Sequence, residues 1–91
     1  MSQFRILRKD EATNTTALSK SNLNVLTKAG LFPPLISLGG SRAVGYIEHE
    51  VVAVMTARAA GYDNDKIHAL VTSLVEQRKD RLNELLLDLC A

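Results

Sequence analysis

Cysteine is nearly absent from this 91-residue chain; Cys90 is the only one. A single thiol closes no internal disulfide, so the fold rests on packing and suits a reducing compartment. The penultimate position of Cys90 argues against a structural or catalytic part for it. Long hydrophobic runs are missing too. No apolar stretch approaches the roughly 20 residues that span a bilayer. No signal-peptide pattern opens the sequence, and it contains no internal repeat or low-complexity tract.

Catalytic constellations are equally scarce. There is no Ser/His/Asp arrangement, no phosphate-binding glycine loop and no HExxH. His49 and His68 are far apart, on separate expected helices, and a metal site wants more ligands at characteristic spacing. Asp10-Glu11 and the pair Glu48 and Glu50 read as helix-start charges, not as an acid–base pair. The expectation is a protein with no enzymatic activity, no metal and no cofactor.

A large excess of one charge is also lacking. The net charge is +1, which by itself argues weakly against a nucleic-acid partner. The distribution says more. Residues 1–61 hold seven basic against four acidic side chains, a balance of +3, and residues 62–91 hold four against six, a balance of −2. The chain therefore divides into a basic part, 1–61, and an acidic extension, 62–91.

What is present is an ordered series of local signals. Ile6 and Leu7 suggest a short strand or extended segment. Asp10 and Glu11 then open a first helix, short because Thr13, Asn14, Thr15 and Thr16 are poor helix formers and read as its fraying end and the following turn. Ser19 is a good N-cap for a second helix. Leu23 and Leu26 face inward, whereas Lys20, Asn24 and Lys28, spaced by four, share an outward face with Ser21 and Thr27 beside them. Gly30 stops this helix, and Pro33-Pro34 forces extended chain.

The segments 35–38 and 44–47 flank Gly39-Gly40-Ser41-Arg42 and predict a β-hairpin with Arg42 at its tip. A third helix over 48–60 carries an apolar stripe of Ile47, Val51, Val54 and Met55. Gly61 ends it, and Asp63 or Asn64 caps a fourth helix running nearly to the C-terminus. That helix is amphipathic, with one cluster at Ile67, Leu70, Val71 and Leu74 and another at Leu82, Leu85, Leu86 and Leu89. The charged run from Glu76 to Arg81 lies between them. Either the second cluster meets another chain, or one stripe folds back on a single core with the stem of Arg78 laid along it. The leucines Leu82, Leu85, Leu86 and Leu89 favour self-association, because so small a domain covers four of them with difficulty. The fold expected is mainly α with a small β-hairpin wing: a winged helix-turn-helix followed by a long C-terminal amphipathic helix.

Taken together, Arg5-Ile-Leu-Arg8, Leu18-Ser-Lys-Ser-Asn-Leu23, Gly30-Leu-Phe-Pro-Pro34, Leu38-Gly-Gly-Ser-Arg-Ala-Val-Gly-Tyr46 and Glu48-His-Glu-Val51 resemble the AlpA family of phage and prophage regulators. These are excisionase-like winged helix-turn-helix proteins related to the MerR DNA-binding domain. The resemblance spans about residues 5–60. It implies binding to double-stranded DNA, as an excisionase-type recombination directionality factor or a transcriptional regulator of a mobile element. An integrase is then a candidate partner, and the location is cytoplasmic, at the nucleoid. An alternative is a winged module that binds an integrase or regulator instead of DNA.

Three departures from the family pattern stand out. The family's Arg-Ser-Thr-Ile-Tyr-Arg is here Lys20-Ser-Asn-Leu-Asn-Val25, which loses an aromatic and an arginine. Its Thr-Gly is Thr16-Ala17, a less permissive turn. Its wing tryptophan is Tyr46. On this reading Lys20, Ser21 and Asn24 face bases, and Lys28, Arg5 and Arg8 face phosphates. Arg42 enters a minor groove from the hairpin tip.

Overall fold

The computed structural model describes residues 5–40 and 43–90, the side chains of residues 85 and 88–90 excepted. Its elements run β1 (Ile6–Leu7), α1 (Lys9–Thr16), α2 (Lys20–Lys28), β2 (Ile36–Ser37), β3 (Val44–Ile47), α3 (Glu48–Ala59) and α4 (Asn64–Cys90). The expected architecture is present: a helix-turn-helix, a hairpin, and a long last helix.

The hairpin is part of a larger sheet. β3 is the central strand of three, in the antiparallel order β1-β3-β2. Ile36 and Ser37 pair with Gly45 and Val44, and Ile6 and Leu7 pair with Ile47 and Tyr46. A Cβ on Gly45 would lie 2.5 Å from Cγ2 of Ile6 and 3.0 Å from the Leu7 carbonyl oxygen, so glycine lets β1 and β3 approach.

Helix α1 is longer than its threonines suggest. Thr13 and Thr16 donate their hydroxyl protons to the carbonyls of Asp10 and Ala12, at 2.6 and 2.8 Å. Such back-bonds satisfy the hydroxyls without leaving the helix. Ala12 and Thr16 are also buried, so tertiary packing overrides weak propensity. At the start of α1 the Arg8 backbone N–H donates to Glu11 Oε1 at 3.0 Å.

The turn to α2 passes through Ala17, at φ 60 and ψ 20. The Thr16 hydroxyl accepts from the Leu18 N–H at 3.2 Å, and Ser19 Oγ accepts from the Asn22 N–H at 3.2 Å. Ser19 is thus the expected N-cap. Helix α2 closes on a Schellman motif: Leu31 N–H donates to the Leu26 carbonyl at 2.9 Å and Gly30 N–H to that of Thr27 at 3.1 Å, with Gly30 at φ +76. The same pattern ends α3, where Tyr62 and Gly61 donate to Ala57 and Arg58. Asp63 caps α4, its Oδ1 accepting from the Lys66 N–H at 2.9 Å.

One core joins these elements. Leu7, Ala12, Leu23, Phe32, Tyr46, Val51, Val54 and Ala57 pack with Ile67, Val71 and Leu74 of α4. Phe32 meets Tyr46 edge to face, with centroids 5.2 Å apart.

The charged run of α4 holds the least expected contact. Glu50, read in sequence as a helix-start charge, is fully buried. Arg78 clasps it with Nε–H to Oε2 at 2.7 Å and Nη2–H to Oε1 at 2.6 Å. Arg78 Nη2 also donates to the Pro34 carbonyl at 2.8 Å. One guanidinium thereby ties α4 to α3 and to the segment leading into β2. Beyond Arg78, Leu82 is half-buried and Leu86 is 57% exposed. The side chains of Leu85 and Leu89 lie outside the described residues. Leu87, not singled out in sequence, is the most exposed large apolar residue described, at 70%.

Candidate nucleic-acid interface

The inward packing of Leu23 and Leu26 turns the opposite side of α2 to solvent. Lys20, Ser21, Asn24 and Lys28 are all exposed there. At helical spacing i, i+3, i+4, i+7, the middle of that face is Ser21, Asn24, Val25 and Lys28. Val25, absent from the sequence reading of this face, is 64% exposed.

Lys20 sits on the flank, where its Nζ lies 2.8 Å from Asp10 Oδ1 on α1. The pair is exposed, so it orients the lysine and adds little stability. The Lys20 ammonium, by hydrogen bond and by charge, holds the Asp10 carboxyl below its ordinary value of 3.8. Arg5 is held between two carboxylates, with Glu11 at 3.2 Å and Glu48 at 3.5 Å. The Glu11 carboxyl is in turn lowered, chiefly by the Arg8 backbone N–H and further by Arg5. Among the described residues, Arg8 and Lys28 enter no ion pair.

Two shallow grooves connect these groups. One, of about 340 Å³, brings Lys20, Ser21 and Asn24 together with Lys9 and the edge of Tyr46. The other, of about 380 Å³, runs between Arg8 and Lys9 on one side and Leu38, Ala43 and Val44 of the hairpin on the other. Lys9 lines both. It therefore joins the face of α2 to the hairpin, a role no local signal marks, because Lys9 is one of several charges at the start of α1. Burial raises the Tyr46 phenol above its ordinary value of 10, while a hydrogen bond with Thr27 pulls the other way. Arg42, the predicted hairpin-tip contact, lies outside the described residues.

Arg8, Lys9, Ser21, Asn24 and Lys28 thus offer cationic and hydrogen-bonding groups along α2 and toward the hairpin. Among the described residues there is no cluster of His, Cys, Asp or Glu able to hold a metal ion. No described helix is long and apolar enough to cross a membrane.

The model of the family described as prophage CP4-57 regulatory protein (AlpA) matches residues 5–59, from β1 to the last turn of α3. An uncharacterized protein, ORF88, of Enterobacteria phage P4 is 41% identical over 61 residues, covering 67% of this chain and 68% of that protein. No solved structure matches significantly. On the family match and this relative, the chain belongs to the AlpA family of prophage regulatory proteins.

Proposed function

We propose that the chain is a DNA-binding regulator of a mobile genetic element. It lays α2 in a major groove and brings the β2–β3 hairpin, with Arg42, against the neighbouring minor groove. Its output is architectural. Copies on adjacent sites bend DNA into a recombination or promoter complex, as an excisionase-type directionality factor or a transcriptional regulator. Residues 1–61 serve as the DNA-binding part. The distal part of α4, with Leu82 and Leu86, joins copies or meets an integrase. The protein acts without catalysis, at the nucleoid.

The observation that carries this reading is the continuity of the surface. The exposed polar face of α2 runs through Lys9 to Arg8 and the hairpin. Fluorescence anisotropy on DNA from an integrated element's attachment and integrase-promoter region, at two salt concentrations, tests it. Binding should weaken steeply with salt, and Lys9→Ala and Arg8→Ala should each flatten the log–log slope by about 0.9. Absence of salt-sensitive binding to any sequence sinks the proposal.

A second reading is a winged module that binds protein. The pairing of Lys20 with Asp10 and of Arg5 with Glu11 and Glu48 favours it, since both cations already have partners. Charge reversal at Lys20 and Arg42 separates the two. It abolishes DNA binding and leaves an interaction through the α4 leucines intact.

A further inference from the structure

Val25 is the exposed centre of a face that is otherwise polar. It is 64% exposed, with Asn24 beside it and Ser21 and Lys28 one turn away on either side. Single apolar residues on a surface are common. Neither of the usual reasons for a valine applies at this one. Burial does not, because Leu23 and Leu26 supply the inward contacts of α2. Helix stability does not, because a β-branched residue is a poor helix former beside the lysine or glutamine an exposed turn accommodates. A stiff pair of methyl groups is nevertheless held in the middle of the surface that meets the partner.

We propose that Val25 is a specificity-determining residue that reads the C5 methyl of thymine. The inference rests on the DNA-binding reading of α2. In the major groove only thymine offers a methyl group, and small apolar side chains recognise it by contact. Asn24, next to Val25, has the amide needed to pair with an adenine edge. Ser21 and Lys28 lie one turn to either side, suited to backbone or phosphate contacts. Neighbouring Asn24 and Val25 therefore select an A·T-containing step. Val25 supplies the thymine component, which a purely cationic helix face lacks.

The test starts with duplexes that the full chain selects from a random-sequence pool. In the selected duplex each thymine is replaced in turn by deoxyuridine, which removes only the methyl group. Affinity is measured for the unaltered protein and for Val25→Ala, with circular dichroism confirming that this exposed substitution leaves the fold intact. One deoxyuridine position should weaken the unaltered protein about fourfold, the value of one buried methyl. The same change should weaken Val25→Ala clearly less, because its one remaining methyl reaches the thymine less closely. If specific, salt-sensitive binding persists but no position is methyl-sensitive, or Val25→Ala is as sensitive as the parent, the assignment to Val25 is overturned and DNA binding stands. If the pool yields no enrichment and no salt-sensitive binding, both fall together.

Discussion

Substituting either partner of the Glu50–Arg78 pair should cost far more than substituting both. Glu50 is fully buried, and both its carboxylate oxygens accept from one guanidinium. The Arg78 side chain is only 16% exposed. Glu50→Leu removes the carboxylate and strands the Arg78 guanidinium away from water. Arg78→Met leaves a buried carboxylate without its counter-ion. Removing one member of a buried pair costs about 3–5 kcal/mol, because the other is stranded away from water. The double replacement Glu50→Leu with Arg78→Met strands no charge. Of the groups that remain, only the Pro34 carbonyl is left without the Arg78 donor, so the double variant should lie within about 1–3 kcal/mol of the parent. Urea denaturation followed by circular dichroism measures all four proteins. With a slope of about 1–2 kcal/mol/M, each single change should lower the midpoint by roughly 2 M or more. The double change should recover much of that. Additive effects, or single changes below about 1 kcal/mol, would show that α4 docks through its apolar stripe alone.

The other predictions concern the turns and the charge at the candidate interface. Ala17→Gly should stabilise the fold by about 0.5–1 kcal/mol, raising Tm by about 4 °C, because Ala17 holds φ 60 at a steric cost that glycine escapes. A calorimetric scan showing no gain would refute strain at that turn. Gly30→Ala should destabilise by about 1–2 kcal/mol. Its new Cβ would sit 2.7 Å from His68 Cδ2, but His68 is exposed and can swing away, so His68→Ala should rescue little. Full rescue in a thermal melt would make the clash, and not the positive φ, the dominant cost. Asp10→Asn should tighten DNA binding and steepen its salt slope by up to about 0.9, by releasing Lys20 for a phosphate. Lys20 holds the Asp10 carboxyl below its ordinary value, so Asp10 is ionised and the competition operates throughout the neutral range. Unchanged anisotropy titrations would place Lys20 outside the interface.

What could be read from the sequence follows the range of each signal. Ser19, Gly30, Pro33-Pro34 and the glycine pair act within a few residues, and each marked its element correctly. The threonines of α1 misled, because local propensity is blind to the packing of Ala12 and Thr16. The face of α2 was drawn through Lys20, Asn24 and Lys28, spaced by four, and that put Lys20 within it and left Val25 out. Placing the outward face opposite the inward Leu23 and Leu26 centres it instead near Asn24 and Val25. The Glu50–Arg78 pair spans 28 residues, and each member sits among charges that look solvated. A faint sign existed in the periodicity. Glu50, Val54 and Ala57 share one face of α3, and Val71, Leu74 and Arg78 share one face of α4. Charges standing in register with two apolar stripes are placed to meet where those stripes pack. Among the described residues, Arg78 is the last α4 side chain hydrogen-bonded to the rest of the molecule. Past it Leu86 and Leu87 are exposed, so the clasp marks how far the core follows a helix of 27 residues.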